Sequence, residues 1–139
     1  MSDNIQYTND LSTISSSSLD GGFFVGWPSP PSSKTHLRIL QQSHAVWLAT
    51  DGDQCVGFIS AVSDGVLSAF IPLLEVLPDY QGRGIGKGLV LRMMESLADL
   101  YAVDIVCDAS VAPFYDGLGF QRSVGMLRRN YANQSGRIA

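Results

Sequence analysis

Charge, cysteine and long apolar runs are all scarce in this sequence. Charged residues make up 16% of its 139 positions, and 9 Lys and Arg stand against 13 Asp and Glu, a net charge of −4. A nucleic-acid partner is not expected, because phosphates call for a basic surface; an acidic balance instead suits an acceptor that is cationic or neutral, such as an amine. The two cysteines, Cys55 and Cys107, form no CxxC and sit in apolar runs, where they read as buried free thiols. The two histidines, His36 and His44, are eight apart, so no metal-ligand spacing exists and no metal site is expected. The N-terminus carries acids and amides where a signal peptide needs basic and then apolar residues, and no apolar run reaches the ~20 residues that span a bilayer. These absences predict a cytoplasmic protein with no membrane partner.

What the chain does have is enough length and apolar content for one domain over 1–139 with a core of its own. Residues 1–44 are the least regular part. Ile5-Gln6-Tyr7 reads as a short strand, 12–18 are serine-rich, and the prolines of 27–33 exclude regular structure there. Ser32 or Ser33 then suits the N-cap of a helix ending near Ser43, with Leu37, Leu40 and Ile39 inward and Lys34 and His36 on the surface. Residues 45–77 read as an antiparallel meander of three strands, turning at Asp51-Gly52-Asp53-Gln54 and Ser63-Asp64-Gly65. From Gly84 to Leu100 the period changes: Ile85, Leu89, Met93 and Leu97 recur at four, an amphipathic helix. Residues 103–107 read as a strand parallel to the one before that helix. Pro113 suits the first turn of a short helix stopped by Gly119, residues 120–131 read as one or two final strands, and the last eight residues read as a tail.

Between the third strand of the meander and the long helix lies Gln81-Gly82-Arg83-Gly84-Ile85-Gly86-Lys87. A helix N-terminus offers unpaired N–H groups and the positive end of its dipole, so it attracts phosphate. Glycines there let the backbone approach a diphosphate, and Arg83 and Lys87 add positive charge. The spacing is neither GxxxxGK[ST] nor GxGxxG, because Gln81 and Gly88 break the first pattern and Lys87 and Leu89 the second.

Val76-x-Pro78-x-x-Gln81-x-x-Gly84-x-Gly86 resembles the acetyl-CoA-binding motif of the GNAT N-acetyltransferase superfamily, and Pro113 to Phe120 is similar to the aromatic segment after that family's fifth strand. The resemblance covers about Leu67 to Phe120. It implies an α/β (α+β) fold: a mixed, mostly antiparallel central sheet of six to seven strands flanked by about four helices. In that fold 1–44 would be the variable acceptor-side segment, 78–100 the cofactor turn and helix, and 101–131 the C-terminal strands and short helix.

The activity implied is transfer of an acetyl group from acetyl-CoA to an amine of a small molecule or peptide, by direct attack and without a metal. Backbone amides around Gly82, Arg83, Gly84, Ile85, Gly86 and Lys87 would hold the diphosphate, Gln81 would steady the turn, and Leu74, Val76 and Phe114 would lie along the cofactor. The Val76 N–H could also polarise the thioester carbonyl. Tyr115 matches the family's acid for the departing thiolate. As base, Glu75 is the only acid in an apolar strand, where a carboxylate is costly to bury without partners; Asp108 after the next strand is its rival. Trp27 and Phe24 stand where an acceptor pocket forms. A homodimer is compatible with the family. A non-catalytic acetyl-CoA sensor of the same fold is the alternative, although it would have no use for Tyr115.

Overall fold

The computed structural model describes residues 4–137; 1–3 and the final two residues of the expected tail, 138–139, lie outside the described residues. Five strands form one sheet in sequence order: β1 (Ile5–Thr8), β2 (Ala45–Asp51), β3 (Gln54–Ser63), β4 (Ser68–Val76) and β5 (Ala102–Ile105). The first three pairings are antiparallel and the β4–β5 pairing is parallel, as the intervening helix requires. Three α-helices accompany them: α1 (Ser33–Gln42), α2 (Ile85–Ser96) and α3 (Ala112–Asp116). Ser32 caps α1, its side chain accepting the Thr35 N–H at 3.2 Å.

Strand β3 is the centre of the molecule, buried without a break from Cys55 to Ala61. One face lies beneath α2, where a Cβ on Gly57 would come within 3.2 Å of Ile85 and Leu89, so glycine lets the helix seat closely. Ile85, Leu89, Met93 and Leu97 are all buried there, as their spacing predicts. On the other face Phe58 packs against Phe23, Phe24 and the ring of His36, whose centroid is 4.4 Å away.

Here two expectations fail. His36 is not a surface residue: with Leu40, one turn on, it forms the buried stripe of α1. Its Nε2 has no partner among the described residues, and burial lowers its pKa to about 4. Folding therefore favours the neutral ring, and the unfolded chain binds a proton more readily below the ordinary value of 6.5. We expect this contribution to be fully present above pH 6.5 and to fall away as pH drops towards 4, by on the order of 3 kcal/mol. Urea unfolding of wild type and His36→Phe across that range tests it: the variant should show the shallower acid limb.

The second is the element count: five strands and three α-helices among the described residues, not six to seven and about four. Between β1 and α1 the serine- and proline-rich stretch makes only single 3-10 turns at Leu11–Thr13 and Ser16–Leu19, where side-chain hydroxyls compete for the backbone. Residues 121–130 are exposed throughout, and none of their N–H groups reaches a main-chain acceptor among the described residues. These residues pair with no strand among the described residues.

Candidate functional site

Pairing of β4 with β5 runs only from Ser68 opposite Ala102 to Ile71 opposite Ile105. Pro72 comes next, without a donor, and from there the two strands separate. The ladder to β3 fixes what the rest of β4 presents to the gap. Leu77 donates to Val56 O at 2.8 Å, so the neighbouring pairs Val76–Gly57 and Leu74–Ile59 are of the non-hydrogen-bonded kind. The N–H groups of Leu74 and Val76 consequently point away from β3, into the opening.

That opening is a cleft of about 560 Å³. Of the residues singled out from the sequence, Phe24, Trp27, Leu74, Glu75, Gln81, Asp108 and Tyr115 line it together. Val76, Phe114 and the glycines are not in its wall but adjoin it: Val76 ends β4, and Phe114 Cζ is 3.5 Å from where a Cβ on Gly86 would be.

At the mouth the chain makes one 3-10 turn, Pro78–Tyr80, and enters α2. Gln81 Nε2 donates to Val76 O at 3.0 Å and ties the turn to the strand end. Gly82 and Gly84 have φ of +77° and +80°, with open space where a side chain would project. Gly84 is the N-cap of α2 and no side chain caps the helix, so its first N–H groups face outward without an intrahelical acceptor. Lys87 is exposed beside them, whereas Arg83 turns back: it donates to Asp79 O and lies over the Tyr80 ring. Such a terminus fits a pyrophosphate, having free donors, a favourable dipole and no Cβ in the approach.

Tyr115 is buried in α3, its ring edge-on to Phe114 and Phe120, and its hydroxyl makes no hydrogen bond among the described residues. Burial first, then the nearby Cys107, raise its pKa to about 12, so the phenol keeps its proton throughout the neutral range. Asp108 is exposed; its backbone carbonyl accepts from Val111 and Ala112 and so starts α3, while its carboxylate makes no hydrogen bond among the described residues.

Glu75 is differently placed. Period-2 alternation turns it to the Phe58 face, where Oε1 accepts the Phe24 N–H at 2.9 Å and Oε2 the Val25 N–H at 3.2 Å. Phe24 has φ +64°, a region a bulky side chain rarely occupies, and its ring lies tilted against that of Trp27, centroids 4.9 Å apart. Glu75 thus holds the Phe23–Trp27 loop in a strained conformation against the cleft.

Sequence reasoning missed several wall residues. Cys107 is exposed and lines the cleft near Tyr115, not buried like Cys55, because β5 ends at Ile105 and the chain there has left the sheet. Leu127 and Arg129 also reach the wall, though their segment reads only as a final strand. Apolar neighbours hid the first, and nothing local marks the other two. Among the described residues no group of His, Cys, Asp and Glu could hold a metal ion, and no helix is long and apolar enough to cross a membrane.

A family model described as "Acetyltransferase (GNAT) domain" matches residues 42–122. Histone acetyltransferase TAP1 of Glycine max is 31% identical over 113 residues, 70% of this chain and 47% of that protein. The uncharacterized N-acetyltransferase ycf52 of Pyropia yezoensis is 31% identical over 101 residues, 69% of this chain and 58% of that protein. The chain spans about half the length of these curated relatives. Among solved structures, a Deinococcus radiodurans R1 protein provisionally assigned as an acetyltransferase is 44% identical with a TM-score of 0.95, covering 98% of this chain and 95% of that one. A GNAT-family acetyltransferase of Streptococcus pneumoniae TIGR4 is 29% identical with a TM-score of 0.69, covering 91% and 97%.

Proposed function

Because the chain belongs to the GNAT acetyltransferase family, we propose that it transfers an acetyl group from acetyl-CoA to the amine of a small molecule or peptide. One observation carries this reading: an uncapped helix N-terminus, opened by two glycines at positive φ, stands at the mouth of a cleft that contains an unbonded tyrosine hydroxyl. The thioester, when bound, supplies the electrophilic acyl carbon.

The residues present fit that cosubstrate. The N–H groups opening α2, from Gly84 to Lys87, hold the pyrophosphate, and Lys87 adds charge. The main chain of Leu74 and Val76 offers hydrogen bonds along the pantetheine arm, and the Val76 N–H polarises the carbonyl oxygen as negative charge develops there. Tyr115 delivers its phenolic proton to the leaving sulfur. Asp108 is the carboxylate available to receive a proton from the acceptor, since both oxygens of Glu75 are engaged. Glu75 acts on the acceptor side as a positioning residue, holding Phe24 and Trp27 in the wall.

Release of free coenzyme A from acetyl-CoA, measured against a panel of amines, tests the proposal. Turnover on one acceptor supports it; tight binding with no turnover on any acceptor would favour a sensor of acetyl-CoA. Removing the latch should separate binding from chemistry. In Glu75→Ala the Phe24 and Val25 amides should exchange with solvent by on the order of tenfold faster or more, as expected when bonds to a charged acceptor worth about 1.5–3 kcal/mol are lost. KM for the acceptor should rise more than kcat falls. Unchanged exchange would remove Glu75 from this role.

A further inference from the structure

Of the two thiols, one can be reached and the other cannot. Cys55 is buried in β3, its Sγ donating to Gly57 O at 3.2 Å, and burial pushes its pKa up to about 12. Cys107 is exposed in the wall of the cleft, two residues past the end of β5, and the proposed transfer makes no use of it. An exposed thiol alone marks no site. A second group in the same wall does point to a ligand. Tyr115 is only 7% exposed, yet its hydroxyl has no hydrogen-bond partner among the described residues. A phenol so buried and so unbonded is completed by a guest in the cleft. Cys107 lies close enough to Tyr115 to act on the phenol by charge, so a guest that meets the hydroxyl comes close to the thiol as well.

Resting on the cosubstrate reading, we propose that Cys107 is a modification site, where the thiol exchanges with coenzyme A disulfide and becomes joined to coenzyme A. With the pyrophosphate at the start of α2 and the arm along Leu74 and Val76, the cofactor's sulfur ends near Tyr115. That is the neighbourhood of Cys107. The Cys107 thiolate attacks one sulfur of the disulfide, and the old S–S bond breaks as the new one forms. The other coenzyme A departs as a thiolate and takes up the proton that Cys107 gave up. Cys107 sulfur is oxidised and the departing sulfur reduced, so no further oxidant is needed. The adduct fills the cosubstrate's own place, and a reducing thiol clears it. The cleft also selects its disulfide. A pyrophosphate held at α2 raises the local concentration of the S–S bond at the thiol, an advantage that a disulfide without one lacks.

Intact-mass measurement of the full chain after incubation with coenzyme A disulfide tests this. One coenzyme A moiety should be added, peptide mapping should place it on Cys107, and dithiothreitol should remove it. Cys107→Ser should take none. The adduct should form about tenfold faster or more than the one with glutathione disulfide at equal concentration. Desulfo-coenzyme A, which has no thiol of its own, should slow it by competition. An adduct on Cys55 overturns the inference, as does a rate no greater than with glutathione disulfide or one that desulfo-coenzyme A leaves unchanged. Calorimetry with coenzyme A on the same protein separates the two readings. Binding without an adduct removes only the role of Cys107, whereas no binding removes the cosubstrate reading as well.

Discussion

Tyr115→Phe is expected to lower kcat by about 10²-fold or more while leaving affinity for coenzyme A unchanged. The substitution removes one oxygen and keeps the ring, so the edge-on contacts to Phe114 and Phe120, at 4.9 and 5.6 Å, persist and the fold should hold. What disappears is the proton donor in the cleft. With its pKa raised to about 12, the phenol is a weak acid but a permanently loaded one; its own ionisation should not shape the pH–rate profile until pH nears that value. Steady-state kinetics with calorimetry on the same variant settle the matter. Unaltered turnover would show that the leaving sulfur takes its proton elsewhere.

Gly84→Val should act on the other quantity, binding. Gly84 sits at φ +80° and ψ 9° at the N-cap of α2, where a β-branched residue is a steric outlier costing on the order of 1–3 kcal/mol. Nothing lies within 4 Å of its Cβ position, so the added side chain meets no core atoms and instead stands in the open approach to the helix end. Affinity for coenzyme A should drop about tenfold or more, the equivalent of roughly 1.4 kcal/mol. Gly84→Asn provides the control, because asparagine tolerates the left-handed conformation and should retain more of the binding. If valine binds as well as glycine in calorimetry, the pyrophosphate is held somewhere else.

Most of what positions the cleft was legible in the residue order. The period-four stripe of α2, the glycine turn before it, the hairpin turns and the parallel placement of β5 are all local patterns, and each appears where expected. The misreadings are non-local. His36 is polar, and only Phe23 and Phe24 of one loop and Phe58 of β3, gathered around it, make its position buried. The bonds of Glu75 cross 51 and 50 residues of sequence, so alternation could say that it leaves the face of Leu74 and Val76 but not what it would meet. The apolar alternation of 120–131 reads as strand, but the segment pairs with no other strand among the described residues.

Pro72 has a consequence for how a guest enters. It interrupts β4 one residue after the last rung shared with β5, on the side where a rung would otherwise continue. The rung that would follow lacks its donor there, so covalent geometry weakens any closure of the two strands at the start of the aperture. A visitor that docks along Leu74 and Val76 meets donors already unspent and displaces only solvent. Restoring an N–H with Pro72→Ala would give the sheet a rival claim on that space.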